Sequence, residues 1–211
     1  VDAREEVLAR IRAALGPRRE RVEVPRDYHR QPPEGTDVVA LFAERVADYR
    51  ADVRRVTAAC GVADEVGRVV RELGIRSLVV PVGFPDAYLS GVDGDGAGGR
   101  DHVELRRDDP PLSTAQLDDS DAVITECAAA VAETGTLVLG RDQGRRALTL
   151  VPDRHICVVR AERVVGTVPQ LPAVPPPATW VSGPSATSDI ELHRVEGVHG
   201  PRTLVVLVVG C

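Results

Sequence analysis

The stretch that most restricts how this chain can fold is an alternation of strand, helix and strand within residues 53–81. Residues 53–57, VRRVT, have the length and β-branched content of a short strand. Val62, Val66, Val69, Val70 and Leu73 recur at helical spacing, and Gly74 supplies the stop. Residues 77–81, SLVVP, are a short apolar run of the kind buried on both faces. Two strands joined by a helix within about 30 residues form a βαβ unit, whose crossover makes the strands parallel. The expected fold class is α/β, with three layers, α/β/α, around a mainly parallel sheet.

The flanking chain extends this frame. Asp2 and Glu5 make a capping-box-like start, and Val7, Leu8, Ile11 and Leu15 share one helical face before Gly16-Pro17. So short an amphipathic helix is marginal alone and must dock, either on its own domain or on a partner. Residues 17–35, with Pro25, Pro32 and Pro33 among charges, read as an extended linker. Thr36 is placed to cap a second helix to about Arg50, with Val38, Val39, Leu41, Phe42, Val46 and Tyr49 inward. Residues 1–35 are thus an N-terminal helical extension with its linker, and 36–211 one α/β domain. A chain of 211 residues buries roughly 70% of its unfolded surface and needs neither disulfide nor metal to fold.

Further along, residues 102–105 suit a strand, and Ser113 or Thr114 starts a short helix. Strand candidates then follow closely at 122–125, 130–132, 136–139, 147–151 and 156–159. After a proline-rich crossing at 169–177 come last strands at 178–182 and 203–209, with a helical turn near 189–195 between them.

Composition removes several function classes. The chain has no Lys, Asn or Met, so a Walker-type phosphate Lys, a Schiff-base Lys and a catalytic Asn are excluded. A net charge of −6 with scattered Arg, and only 3% aromatics, gives no footprint for nucleic acid. Cys60, Cys127, Cys157 and Cys211 include no C-x-x-C pair, so neither a zinc ribbon nor a local iron–sulfur ligand set can be built. No G-x-G-x-x-G lies in a strand–helix context, and no cofactor is expected on this chain. Residues 91–99, GVDGDGAGG, lack the bidentate Glu of a calcium loop, and His193 and His199 lack zinc spacing, so no metal site is expected. The longest apolar run, 204–209, is far short of the ~20 residues of a membrane helix, and no leader opens the sequence. A cytoplasmic protein is expected.

Groups able to hold a polar ligand concentrate in residues 182–201, SGPSATSDIELHRVEGVHGP. Gly183–Glu191 follows a strand, and Ser188 or Asp189 is placed to cap the next helix. A strand end, a glycine turn and a helix start expose backbone amides, and ligands of parallel sheets bind at the carboxyl ends of strands. One reading is an oxyanion cradle with Gly183, Ser185, Thr187, Ser188 and Asp189; the other is a plain helix cap in a polar loop. His199, between two glycines, is the histidine best placed for a polar contact, while His155 reads as structural. In Ala132–Leu139, AETGTLVL, Glu133 leaves an apolar strand and is followed by Thr134, Gly135 and Thr136. Partial desolvation there would raise its pKa and suit it to acid–base or nucleophilic work; the other reading is a Glu holding turn amides.

Three motifs in order, AVAETGTLVL, LVPDRHICVV and GPSATSDIELHRVEGVHGPRTLVVLVV, resemble the lactate-utilisation protein C (LutC/YkgG) family with its LUD domain. The resemblance covers residues 122–211, and the upstream elements fit in order and size. It implies an α/β/α fold related to the sugar-phosphate isomerase, CoA-transferase and formyltetrahydrofolate cyclo-ligase group. It implies a part in oxidising L-lactate to pyruvate beside two partners that carry iron–sulfur clusters. The family motifs fall on Glu133, Thr134, Gly135, Thr136, Gly183, Pro184, Ser185, Thr187, Asp189, Ile190, Glu191, Gly197, His199, Gly200 and Pro201. Two functions follow as expectations. One is a non-redox component of a lactate-oxidising system that docks partners or binds a small anion. The alternative is a free-standing CoA-transferase-like or phosphosugar-isomerase-like enzyme with Glu133 as nucleophile or base.

Overall fold

A computed structural model describes residues 2–16, 23–27, 29–92, 102–188, 194–197 and 199–210; of 187, 188 and 194–196 it describes the backbone. Its helices are α1 (Ala3–Leu15), α2 (Val38–Asp48), α3 (Val62–Glu72) and α4 (Thr114–Asp118). Its strands begin with β1 (Asp52–Val56), β2 (Ser77–Val80), β3 (Glu104–Arg107), β4 (Ala122–Glu126), β5 (Ala129–Val131) and β6 (Thr136–Leu139). They continue with β7 (Arg154–Arg160), β8 (Val164–Val165), β9 (Thr179–Val181), β10 (Ala186–Ser188), β11 (Arg194–Glu196) and β12 (Thr203–Val209).

Six strands form one parallel sheet in the order β1-β12-β7-β4-β2-β3. The sequence run Leu204–Val209 is apolar throughout because β12 lies between β1 and β7 and is covered on both faces. Its residues divide by alternation. Val205, Leu207 and Val209 join Val62, Val66, Val69 and Val70 of α3 in one core. Leu204, Val206 and Val208 join Phe42 and Val46 of α2, and Leu137 and Leu139 of β6, in the other. Each of these side chains contributes about 1.5–3 kcal/mol by leaving water. The result is the expected α/β class, with α3 against one face and α2 and a small second sheet against the other.

That second sheet, β8-β5-β6-β9, and the β10–β11 hairpin occupy the connections β4→β7 and β7→β12, where helices would ordinarily cross. The parallel sheet follows from the βαβ unit as expected, yet β1 and β2 are not neighbours: β12, β7 and β4 lie between them.

Several local expectations are corrected. The second helix is capped by Asp37, whose carboxylate accepts from the amides of Val39 and Ala40, while Thr36 Oγ1 bonds Pro33 O instead. Tyr49 is exposed rather than inward. Residues 147–151 are not a strand: Arg146–Thr149 is a 3₁₀ turn that buries Leu148 against Val79, Leu117 and Val123. Ser188 belongs to β10, paired with Arg194, so no helix starts there; residues 189–193 lie outside the described ones. In α1 no residue is buried, and Val7, Ile11 and Leu15 stand exposed, so docking on its own domain is not observed. Among the described residues no helix is long and apolar enough to cross a membrane.

Candidate functional site

The β5–β6 turn and the segment after β9 meet at the amino end of the parallel sheet. Antiparallel pairing of β6 with β9 sets Leu137 opposite Val181, which brings Thr136 beside Ser182. Thr134 Oγ1 lies 2.7 Å from Thr136 Oγ1, and Thr136 Oγ1 lies 2.8 Å from Ser182 Oγ. Thr136 Oγ1 also donates to Thr134 O at 3.4 Å, so with Thr134 and Ser182 donating to Thr136 the three hydroxyl protons are all satisfied within the series. Just beyond, Ser185 N donates to Pro201 O (2.8 Å) and Ser185 Oγ accepts from His199 N (3.1 Å). The sequence-predicted Thr134, Thr136, Ser185 and His199 therefore lie on two turns joined through Ser182.

Both predicted glycines are explained by packing on α2. At Gly135 (φ +58°) a Cβ would stand 2.8 Å from the carbonyl carbon of Arg45. At Gly183 (φ +84°) it would stand 2.4 Å from Tyr49 Cβ. Neither position needs a ligand to account for it. The reading of an oxyanion cradle at a helix start is corrected: β10, not a helix, follows the turn, and the Ser185 amide is occupied by Pro201 O. The turn also sits at the amino rather than the carboxyl ends of the parallel strands, because β9 belongs to the second sheet. Side chains of Thr187 and Ser188, and all of Asp189, lie outside the described residues. Glu133 is exposed, so the desolvation that would fit it for acid–base work is absent. Among the described residues no group of three or more His, Cys, Asp or Glu is gathered for a metal.

A shallow cleft of about 20 Å³ opens here, lined by Thr149, His155, Val181, Gly183, Pro184, Ser185, Pro201 and Leu204. Its floor includes His155, only 1% exposed, whose Nε2 lies 2.8 Å from Thr125 Oγ1. Thr125 Oγ1 also donates to Cys157 Sγ at 3.7 Å. Burial without a carboxylate partner lowers the His155 pKa to about 4, so the ring is neutral at ordinary pH. The same burial, aided by neighbouring Cys127, pushes the Cys157 thiol up and keeps its proton on. Sequence reasoning passed over His155 because a histidine at the start of an apolar strand gives no sign of lining a cleft.

A second cleft of similar size lies at the opposite end of the sheet, lined by Pro81, Gly83, Phe84, Glu126, Asp142 and Gln143. Chain β2 leads on to β3 on one side, and β4 to β7 on the other, so the cleft sits where the strand order reverses. Ligands of open parallel sheets commonly occupy such crevices. Glu126 is held there by Arg160 Nε at 3.0 Å. A Glu ending a buried strand was the signal that could have located this end.

Comparison with known proteins bears on the whole chain. The family model described as LUD domain matches residues 39–209. A Deinococcus radiodurans protein called lactate utilization protein C is 48% identical over 185 residues, covering 82% of this chain and 80% of that protein. A Geobacillus kaustophilus protein of the same name is 35% identical over 91 residues, 37% of this chain and 38% of its own length. The crystal structure of a DUF162 family protein from Deinococcus radiodurans superposes with a TM-score of 0.65 at 36% identity, covering 85% of this chain and 100% of the other.

Proposed function

We propose, from the premise that this chain belongs to the LUD-domain family, that it serves L-lactate utilisation as a non-redox component working beside iron–sulfur proteins that carry the electrons. The observation that supports this most is the 48% identity, across four-fifths of both chains, to a protein named for lactate utilisation. Residues 36–211 are the working domain and 1–35 its N-terminal extension, of which α1 buries no residue while Arg30 O, nearer the domain, accepts from Thr167 Oγ1. Thr134, Thr136, Ser185 and His199, framed by Gly135 and Gly183, form the rim that holds a small anionic ligand. Thr187, Ser188 and Asp189, the other ligand candidates of the sequence, lie outside the described side chains. The described cysteines, Cys60, Cys127 and Cys157, are all thiols, which favours a reducing cytoplasmic setting. No observation favours Glu133 as a nucleophile, so the free-standing enzyme is not carried forward.

The test is affinity capture of the tagged full chain from its source organism grown on L-lactate. Bound iron and L-lactate-dependent dye reduction should co-purify with it. A chain that emerges alone, in cells that still grow on L-lactate when its gene is deleted, contradicts the reading.

A further inference from the structure

Helix α1 carries an apolar face that the described residues of the domain leave uncovered. Val7, Ile11 and Leu15 recur at every fourth residue, with Leu8 beside them, and stand 55%, 48% and 53% exposed. A helix of 13 residues is marginal alone in water, so another surface must complete it.

Charge says what that surface is. At about 100° per residue, Arg4 falls within the apolar stripe and Arg12 at its border. Glu6 faces away and is paired with Arg10. The Arg4 and Arg12 guanidinium groups have no ion-pair partner among the described residues. The face therefore offers aliphatic side chains together with two uncommitted positive charges.

A second copy fits it poorly. Antiparallel pairing of two α1 helices about Ile11 sets Arg10 against Arg12 of the second copy, and parallel pairing sets each arginine against itself. Four aliphatic side chains also supply only roughly 300–400 Å², about half of the ~800 Å² per partner that a stable interface buries. The helix has to add to a contact that the domain itself makes, and the chain is built to hold it there. Thr167 Oγ1 donates to Arg30 O at 2.9 Å, and Pro32 lies against Gly166. Residues 17–29, between α1 and that anchor, span at most about 45 Å. A tethered helix of this kind strengthens binding by raising its own local concentration at a partner already in contact.

We infer that α1 is a docking helix for a different protein, and that its occupant is an apolar groove rimmed by carboxylates. The groove takes Val7, Leu8, Ile11 and Leu15, and its rim pairs with Arg4 and Arg12. The chemistry of the groove is argued from α1; its assignment to an iron–sulfur partner rests on the functional reading proposed above.

The test has two parts. In the first, the purified full chain is examined by light scattering and hydrogen exchange. A monomer whose amides 3–15 exchange within seconds is expected. A dimer that Ile11→Asp dissolves would give α1 to a second copy, and slow exchange of α1 in a monomer would give it to its own domain; either overturns the inference. In the second, the tagged full chain is used for capture from its source organism grown on L-lactate, beside Ile11→Asp, the double variant Arg4→Glu, Arg12→Glu, and the double variant Arg4→Lys, Arg12→Lys. Captured iron should fall about tenfold or more in the first two variants and stay within about twofold in the third. Because α1 buries no side chain, all three variants should keep the Tm of the full chain. Iron capture that Ile11→Asp or the glutamate pair leaves unchanged removes this inference alone and leaves the functional reading standing. A full chain that captures no iron removes the functional reading and this inference together.

Discussion

His155 is where sequence-level chemistry and three-dimensional environment part company. Its ordinary pKa of 6.5 falls to about 4 because the ring is buried with a neutral partner. The unfolded chain takes up a proton below pH 6.5 that the folded chain refuses until about pH 4. The contribution to stability is therefore complete above pH 6.5 and lost as pH falls toward 4. By pH 5 this group alone costs about 2 kcal/mol relative to pH 7. NMR titration should keep His155 neutral to about pH 4, and urea unfolding at pH 7 and pH 5 should show the loss; a His155 midpoint near 6.5 would refute the environment described. Thr136 is buried in the hydroxyl series, so Thr136→Val should lower stability by about 1–2 kcal/mol in urea melts by stranding its neighbours' protons. Exposed Glu133 should tolerate Glu133→Gln within about 0.5 kcal/mol, and with no loss of ligand response.

At the scale of elements, the β5–β6 turn is seated on α2 by Gly135. Adding a methyl there drives Cβ into the Arg45–Val46 backbone at a left-handed φ. Gly135→Ala should cost about 2–4 kcal/mol and show as a marked drop in Tm; an unchanged Tm would mean the turn is not docked as described. The N-terminal extension should behave oppositely. Deleting residues 1–16 removes no buried side chain and should leave the Tm within about 1–2 °C. Deleting through Pro33 should lower it, because Arg30 O accepts from Thr167 Oγ1 and Pro32 sits against Gly166. The elements were legible in proportion to their periodicity. The helix at 62–73 and the strand at 203–209 repeat their apolar positions at one clear period, and both stand within a residue of the expected bounds. Residues 147–151 gave a strand-like apolar run that packs as a turn, since five residues do not separate the two by pattern. The β10–β11 hairpin was hidden because Ser188 is as good a helix cap as it is a strand end.

For the whole molecule, the question is which end of the sheet carries the ligand. Parallel sheet class and layer count were readable from one βαβ unit, but strand order was not: local sequence does not say that β12, from the far end of the chain, enters beside β1. Strand order decides where clefts open. The carboxyl-end cleft, with Glu126 paired to Arg160, follows the general habit of parallel sheets. The amino-end cleft gathers Ser185 and His155, with the hydroxyl series of Thr134, Thr136 and Ser182 beside it, because β9 pairs with β6 and the segment after it is tied to the loop before β12 by Ser185 N donating to Pro201 O. A crystal structure of the full chain grown with L-lactate discriminates between these ends directly. Density for the acid at the rim formed by Thr134, Ser185 and His199 is the predicted result. Density beside Glu126 and Asp142 with an empty amino end, or none at either, would contradict it.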